Sequence, residues 1–272
     1  MGDGCGHRPR PATSPDFFYS MLLLLKLLVA PALVGAVTIA VRRWGPAVGG
    51  WLSGMPVVAG PVVVFMSVEQ GTDFGARAAH ATLTGLIGTV AFAITYARMS
   101  RRAPWYVCLL AGWLIFALVT SALYLLDPTL PVSLLGLVVT SVAGPRLLPA
   151  TEGTIAPVGN PRFDLALRLI ATAALVLVLT AVADELGPTL SGLLNAFPVL
   201  TTIITAFTHA QHGSGPTIAF VRGFTRSIIG FGSFAFMLAL TMVPLGLGWA
   251  LVLATVAQVI VSGITLRRTR RA

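Results

Sequence analysis

A glycine- and proline-rich segment occurs twice in this chain, and this duplication constrains the fold more than any other feature. Residues 45–71 align without gaps with residues 187–213, at an offset of 142. The eight identical pairs are Gly45/Gly187, Pro46/Pro188, Gly50/Gly192, Leu52/Leu194, Pro56/Pro198, Val57/Val199, Phe65/Phe207 and Gly71/Gly213. Five of the eight are glycine or proline, which apolar composition alone does not match by chance. An internal repeat therefore has to be part of any fold prediction.

The composition predicts a protein embedded in a lipid bilayer. Apolar residues make up 56% of the chain and charged residues only 10%, whereas soluble domains carry roughly 25% charged residues. Apolar stretches of about 20 residues recur between short polar breaks, which is typical of membrane-spanning helices. The net charge of +9 comes from residues at helix ends rather than from a polar domain, so we expect no nucleic-acid partner.

We predict an all-α polytopic transmembrane helical bundle with nine spans in a 4+1+4 inverted repeat. The expected spans are 22–41, 48–68, 78–97, 105–125, 129–146, 165–183, 189–209, 224–243 and 246–265. The expected organisation is a disordered tail at 1–20, a first four-helix repeat at 21–127, a connecting helix and cytoplasmic loop at 128–163, a second repeat at 164–266 and a basic tail at 267–272.

The distribution of basic residues predicts the orientation. Thirteen of the eighteen Lys and Arg residues fall in loops on one side of the nine spans or in the C-terminal tail, and three fall on the other side. Because cytoplasmic loops collect Lys and Arg, we expect a bacterial cytoplasmic (inner) membrane protein with its N-terminus outside and its C-terminus in the cytoplasm. Arg42 and Arg43 align with Asp184 and Glu185, which favours two halves of opposite orientation.

Aligned prolines in the second and seventh spans predict interrupted helices near the middle of the membrane. Proline lacks an N–H group and breaks a helix, and paired interruptions in the two halves of a transporter indicate its substrate site. We therefore name Ser53, Pro56, Asn195 and Pro198 as candidate substrate-binding residues. The alternative is that the glycines nearby only allow close helix packing.

Ionisable residues inside or beside the spans are further candidates. Lys26 and Arg168 are aligned in the first helix of each half, which favours a role in substrate binding. The alternative is that both side chains extend along the helix to the membrane–water interface. Glu69 and His209 are candidates for proton coupling, or else inert residues at helix ends. His80 aligns with Arg222, so any cavity lined by such basic groups would favour anions.

The segment Gly192-Leu193-Leu194-Asn195-Ala196-Phe197-Pro198, together with the apolar helix after it, resembles small four-helix bacterial membrane proteins linked to alginate production. The resemblance implies that one such protein corresponds to one half of this chain. It implies no catalytic residues, and the first half departs from it because Met55 stands in place of the phenylalanine.

These observations predict a small secondary transporter that moves a small, preferably anionic, solute by alternating access between the two repeats. The alternative is a non-transporting accessory or scaffold protein of a cell-envelope biosynthesis complex. We expect neither an enzyme nor a cofactor, because no catalytic constellation, metal-ligand set or nucleotide-binding loop is visible in the sequence. The expected partners are the lipid bilayer and the solute, and a homo-oligomer stays open.

Overall fold

The structure, a computed structural model, describes residues 15–56, 59–150, 163–179 and 196–270. These ranges contain helices and no strands. The helices of the first half of the chain are α1 (Pro15–Trp44), α2 (Pro46–Ser53), α3 (Ala59–Gln70), α4 (Thr72–Met99) and α5 (Trp105–Leu126). They are followed by α6 (Leu130–Ala143) with a 3-10 turn (Gly144–Leu147), α7 (163–179), α8 (Val199–His212) and α9 (Ser214–Arg270).

The prediction of a helical membrane protein is confirmed at the level of helix type and hydropathy. Five helices in the described ranges are long and apolar enough to cross a membrane. The longest such segment, Ser214–Arg267, has 54 residues. A straight helix of that length would measure ~80 Å, against ~30 Å for the hydrocarbon core of a bilayer. The segment bends at Gly246, where φ is 75°, so it has the length for two spans.

Several helix ends differ from the expected ones. Helix α1 begins at Pro15 rather than near residue 22, since proline is well suited to the first position of a helix, where its missing N–H has no partner to lose. Helix α9 begins at Ser214, directly after Gly213, rather than near residue 224. Arg222 and Arg226 therefore lie within a helix and not in the loop that the sequence predicted.

Helix α4 lies at the centre of the bundle. It packs against α3, α5, α6 and α9, and 67% of its apolar window is buried, compared with 17% for α5. The exposed side of α5 carries Leu110, Leu114 and Leu118, which are 57–61% exposed and follow one another at the four-residue spacing of one helix face. An apolar outer face around a packed centre is what a surrounding bilayer requires.

The closest approach between helices joins α2 to the first part of α9. A Cβ atom built on Gly50 would overlap the carbonyl oxygen of Phe220, and one built on Gly223 would overlap the carbonyl oxygen of Ala47. The two helix backbones are therefore in direct contact, which small residues make possible in membrane proteins. This contact anchors the short helix α2, which at eight residues is too short to be stable alone.

We predict that Gly50→Ala destabilises the protein. The added methyl group has to push α2 away from α9, and such overpacking costs about 1–3 kcal/mol. The matched control is Gly248→Ala in the last part of α9, where a Cβ atom would meet nothing within 4 Å. The melting temperature of the detergent-purified protein should fall for Gly50→Ala and stay the same or rise for Gly248→Ala; equal values for both variants would contradict the packing argument.

Candidate functional site

The predicted interruption at Pro56 is present in the structure. Helix α2 ends at Ser53 and helix α3 begins at Ala59, so Pro56 lies between two half-helices. The Ser53 hydroxyl is buried and donates a hydrogen bond of 3.0 Å to the carbonyl oxygen of Gly49 in its own helix. The Ser53 hydroxyl is therefore already hydrogen-bonded within α2. The irregular backbone at this place comes from the break between α2 and α3.

The chain is also non-helical before α8, at the aligned proline. Pro198 has φ −78° and ψ 58° and directly precedes the first residue of α8. The carbonyl oxygen of Ala196 accepts a hydrogen bond of 2.7 Å from the Thr89 hydroxyl on α4. Irregular backbone in an apolar environment needs such partners from neighbouring protein. Asn195, the remaining candidate in this segment, lies outside the described residues.

The break at Pro56 and the non-helical residues 196–198, called the two breaks below, each lie against a helix of the other half. A Cβ atom on Gly54, in the first break, would lie 2.7 Å from the Ser227 hydroxyl oxygen on α9. In the second break, Ala196 lies directly against Gly85 on α4. The Ser227 hydroxyl is fully buried and has no hydrogen-bond partner among the described residues. The sequence analysis missed Ser227, a polar residue beside the first break. The available signal was the alignment of Ser227 with Gly85 at the 142-residue offset.

A second polar cluster surrounds Arg168, at the start of α7. The Arg168 side chain is 4% exposed, and its Nε atom donates to both carboxylate oxygens of Asp164 at 3.0 and 2.9 Å. Its Nη2 atom donates to Gln211 at 3.0 Å, and the guanidinium lies 4.9 Å from the centre of the Phe207 ring. Arg168 is therefore buried and ion-paired inside the protein.

Asp164 holds this cluster together from three sides. Its carboxylate also accepts hydrogen bonds from the Gln211 amide and from Arg42, the latter at 2.6 Å. Burial alone would raise the pKa of Asp164, but the hydrogen bonds from Gln211 and Arg168 and the charge of Arg168 lower that pKa below its usual value. Asp164 is therefore ionised at neutral pH and accepts hydrogen bonds from both Arg42 and Arg168.

His212 lies beside this cluster and is uncharged at neutral pH. Burial, followed by the positive charge of Arg168, lowers the pKa of its imidazole. Its Nδ1 atom is buried and has no hydrogen-bond partner among the described residues. The sequence analysis missed Asp164 and the role of Gln211; the four-residue spacing from Asp164 to Arg168 was the available signal.

The remaining candidates are not brought together by the described contacts. His209 lies near the end of α8, where its Nδ1 atom is 3.4 Å from the Tyr96 hydroxyl of α4. Lys26 belongs to α1 and Glu69 to α3, and both side chains lie outside the described part of the structure. Where the structure describes the chain, no group of three or more His, Cys, Asp or Glu residues could hold a metal ion.

Comparison of the chain with protein-family models, with curated proteins and with solved structures finds no match. Any functional inference has to come from the helix breaks and the polar clusters themselves.

We predict that Asp164→Asn strongly destabilises the protein. The substitution leaves buried Arg168 without its counter-charge, and breaking a buried ion pair typically costs about 3–5 kcal/mol. Asp127→Asn is the matched control, because Asp127 is exposed and has a positive φ of 41°, which asparagine tolerates. Thermal unfolding in detergent measures both; similar melting temperatures for the two variants would refute a stabilising role for Asp164.

The same variant should also change how stability depends on pH. Since the pKa of Asp164 is lowered in the folded protein, its contribution is present above the ordinary pKa of aspartate and is lost as the pH falls through the lowered value. The difference in melting temperature between the wild type and Asp164→Asn should therefore shrink as the pH is lowered from neutral into the acid range. A constant difference across that range would contradict the assignment of the charge.

Proposed function

We propose that the chain is a small secondary transporter of the bacterial cytoplasmic membrane, built from two inverted repeats that rock around the breaks at Pro56 and Pro198. The observation that carries the proposal is that the helix break at Pro56 and the non-helical residues at the aligned Pro198 each pack on a helix of the opposite half. Paired discontinuous helices of this kind form the substrate sites of many transporters.

The helix ends support the repeat. Helix α3 ends at Gln70 and α8 at His212, and the next helices begin at Thr72 and Ser214, so both boundaries differ by the 142 residues of the sequence alignment. The glycines between them, Gly71 and Gly213, have φ values of 89° and 78°. A positive φ is readily adopted only by glycine, and this explains why these two aligned positions are identical.

The packing within each half supports the same register. In the first half, a Cβ atom on Gly88 would meet Thr120 and Phe116 of α5. In the second half, a Cβ atom on the aligned Gly230 would meet the aligned residues Ser262 and Gln258, which follow the bend at Gly246. The contact between α4 and α5 at Gly88 therefore corresponds to the contact between the two parts of α9 at Gly230.

The packing between the halves supports a two-fold relation. Gly54 of the first half contacts Ser227 of the second, and Ala196 of the second half contacts Gly85 of the first. The two contacts correspond to each other, because Gly54 aligns with Ala196 and Gly85 aligns with Ser227 at the 142-residue offset. Reciprocal contacts of this kind are produced by a two-fold axis.

In this proposal, the number of membrane spans before the second half sets the direction of the two-fold axis. Five crossings precede α7 when α2 and α3 form one interrupted span, and an odd number turns the second half over relative to the first. The exchange of Arg42 and Arg43 for Asp184 and Glu185 at aligned positions agrees with this orientation. The axis accordingly lies in the membrane plane, as in transporters with inverted repeats.

The substrate is a small solute that contacts the two breaks, through Ser53, Pro56, Asn195 and Pro198 and through the Ser227 hydroxyl, which has no hydrogen-bond partner among the described residues. An anion is favoured because basic groups recur at aligned positions of the two halves, Lys26 with Arg168 and His80 with Arg222. In this proposal the aligned Lys26 supplies the corresponding charge in the first half. Glu69 and His209 are the residues proposed to exchange a proton with the solution.

Accessibility of the breaks tests alternating access without knowledge of the solute. A cysteine replaces Ser227 in a protein whose Cys5 and Cys108 are changed to alanine, and a membrane-impermeant maleimide is added to right-side-out or to inside-out vesicles. Because alternating access opens the breaks to each side in turn, we expect Ser227→Cys to be labelled in both vesicle types. Alanine at both Pro56 and Pro198 should slow the labelling at least several-fold.

The matched control is Ser133→Cys, since Ser133 is also buried but hydrogen-bonded to Thr84 and His80 at the α4–α6 contact. It should remain unlabelled from both sides. Labelling of Ser227→Cys from only one side, or from neither, would rule out alternating access at the breaks. In that case, a stable protein partner in a mild-detergent pull-down would favour the accessory role instead.

Reporter fusions test the inverted orientation independently. Alkaline phosphatase, which is active only outside the cytoplasm, should be inactive when fused after residue 43 and active when fused after residue 185. Green fluorescent protein should give the opposite pattern. The same reporter giving activity at both positions would exclude inverted repeats even if the protein transports a solute.

A further inference from the structure

A basic cavity lies where the connecting helix α6 meets α9, away from the helix breaks. Its volume is about 360 Å³, which lies within the range of small-molecule sites. The lining residues are Ser141, Val142, Pro145, Arg146, Arg222, Arg226, Ile229 and Thr265. Three of these eight residues are arginines, and none is acidic.

Arg222 is held in place at the cavity by the backbone that follows α6. Its Nη2 atom donates hydrogen bonds to the carbonyl oxygens of Leu148 and Pro149, at 3.2 and 2.7 Å. These carbonyls orient the guanidinium without neutralising it. The Nε atom of Arg222 is buried and has no hydrogen-bond partner in the described part of the chain.

Arg226 lies one helical turn after Arg222 on α9. Within the described ranges the Arg226 guanidinium forms no ion pair. The like charge of Arg222 acts on it. Two arginines at this spacing lie on the same helix face and repel each other. Arg146 adds a third positive charge from the 3-10 turn after α6, with Nη1 donating to the carbonyl oxygen of Val142 at 3.0 Å.

Ser141 supplies a second polar atom that has no partner in the described ranges. It is 2% exposed, and its hydroxyl forms no hydrogen bond with the described residues. Buried polar groups are almost always hydrogen-bonded in folded proteins. In the described part of the chain, the cavity lining therefore combines three arginine charges that no carboxylate neutralises with two residues, Ser141 and Arg222, that each have a buried polar atom without a partner.

We propose that this cavity binds a phosphate group. A tetrahedral phosphate offers several acceptor oxygens and a negative charge, and arginine is the residue best suited to bind it through paired hydrogen bonds. The contrast with the Arg168 cluster supports this assignment: there a carboxylate of the protein itself, Asp164, occupies the position between the arginines, whereas none of the described residues that line this cavity is acidic.

The phosphate belongs either to a phospholipid headgroup or to a soluble phosphate. Val142, at the edge of the cavity, is 47% exposed, and Val139 and Leu135 extend an exposed apolar surface along α6, which could contact acyl chains. Basic pockets between spanning helices on the cytoplasmic side bind anionic headgroups. The two sources share the same chemistry and differ only in what is attached to the phosphate.

Thermal stability of the full-length protein tests the proposal, because a ligand that binds only the folded state raises the melting temperature. Two probes are used: inorganic phosphate added to the protein in an uncharged detergent, and phosphatidylcholine vesicles with or without phosphatidylglycerol. A rise with inorganic phosphate indicates a soluble phosphate as the ligand. A rise with phosphatidylglycerol alone indicates a lipid headgroup.

The variants assign the effect to the cavity. Arg226→Gln should weaken the apparent affinity about tenfold or more, since a hydrogen bond to a charged group is lost. Arg226→Lys keeps the charge and should fall between Arg226→Gln and the wild type. Arg102→Gln, which removes an exposed arginine that does not line the cavity, should bind as the wild type does.

No rise in melting temperature with either probe would overturn the proposal, as would rises of equal size in the wild type and in Arg226→Gln. Because the assay does not involve solute movement, its outcome is independent of the labelling of Ser227→Cys. The phosphate site therefore stands or falls separately from the transport function.

Discussion

Direct backbone contact between α2 and α9 is the constraint on which the other features of this protein depend. Helix α2 has only eight residues, so its position is set by what it packs against rather than by its own stability. With Gly50 packed on the backbone at Phe220 and Gly223 packed on the backbone at Ala47, the chain that leaves α2 at Gly54 has to pass beside Ser227. The position of the Pro56 break therefore follows from a contact made one helical turn earlier.

Two basic clusters show how an apolar protein handles arginine. Around Arg168 the charge is balanced inside the fold, because Asp164 accepts hydrogen bonds from two arginines and from Gln211. Among the described residues, the Arg222 guanidinium donates hydrogen bonds only to backbone carbonyl oxygens. These orient the guanidinium and do not neutralise its charge. The first arrangement stabilises helix ends against each other, and the second is suited to an external anion.

Helix α9 connects the two proposed sites. Arg226 lines the basic cavity and the next residue, Ser227, lies against the first helix break. Adjacent residues of a helix point about 100° apart, so one turn of α9 faces both regions. A movement of α9 relative to α2 would change the surroundings of both side chains together, and an anion bound at the cavity would then affect the same helix that the transport proposal requires to move.

The sequence by itself determined the helical class, the apolar character and the interruption at Pro56, because hydropathy and the missing proline N–H act locally. It also singled out Arg168 as an unusual charge. Only the tertiary structure decided that Arg168 is buried against Gln211 and that Ser227 lies beside Gly54. These contacts join segments far apart in the chain, and a side chain's partners depend on how helices pack, which no local pattern encodes.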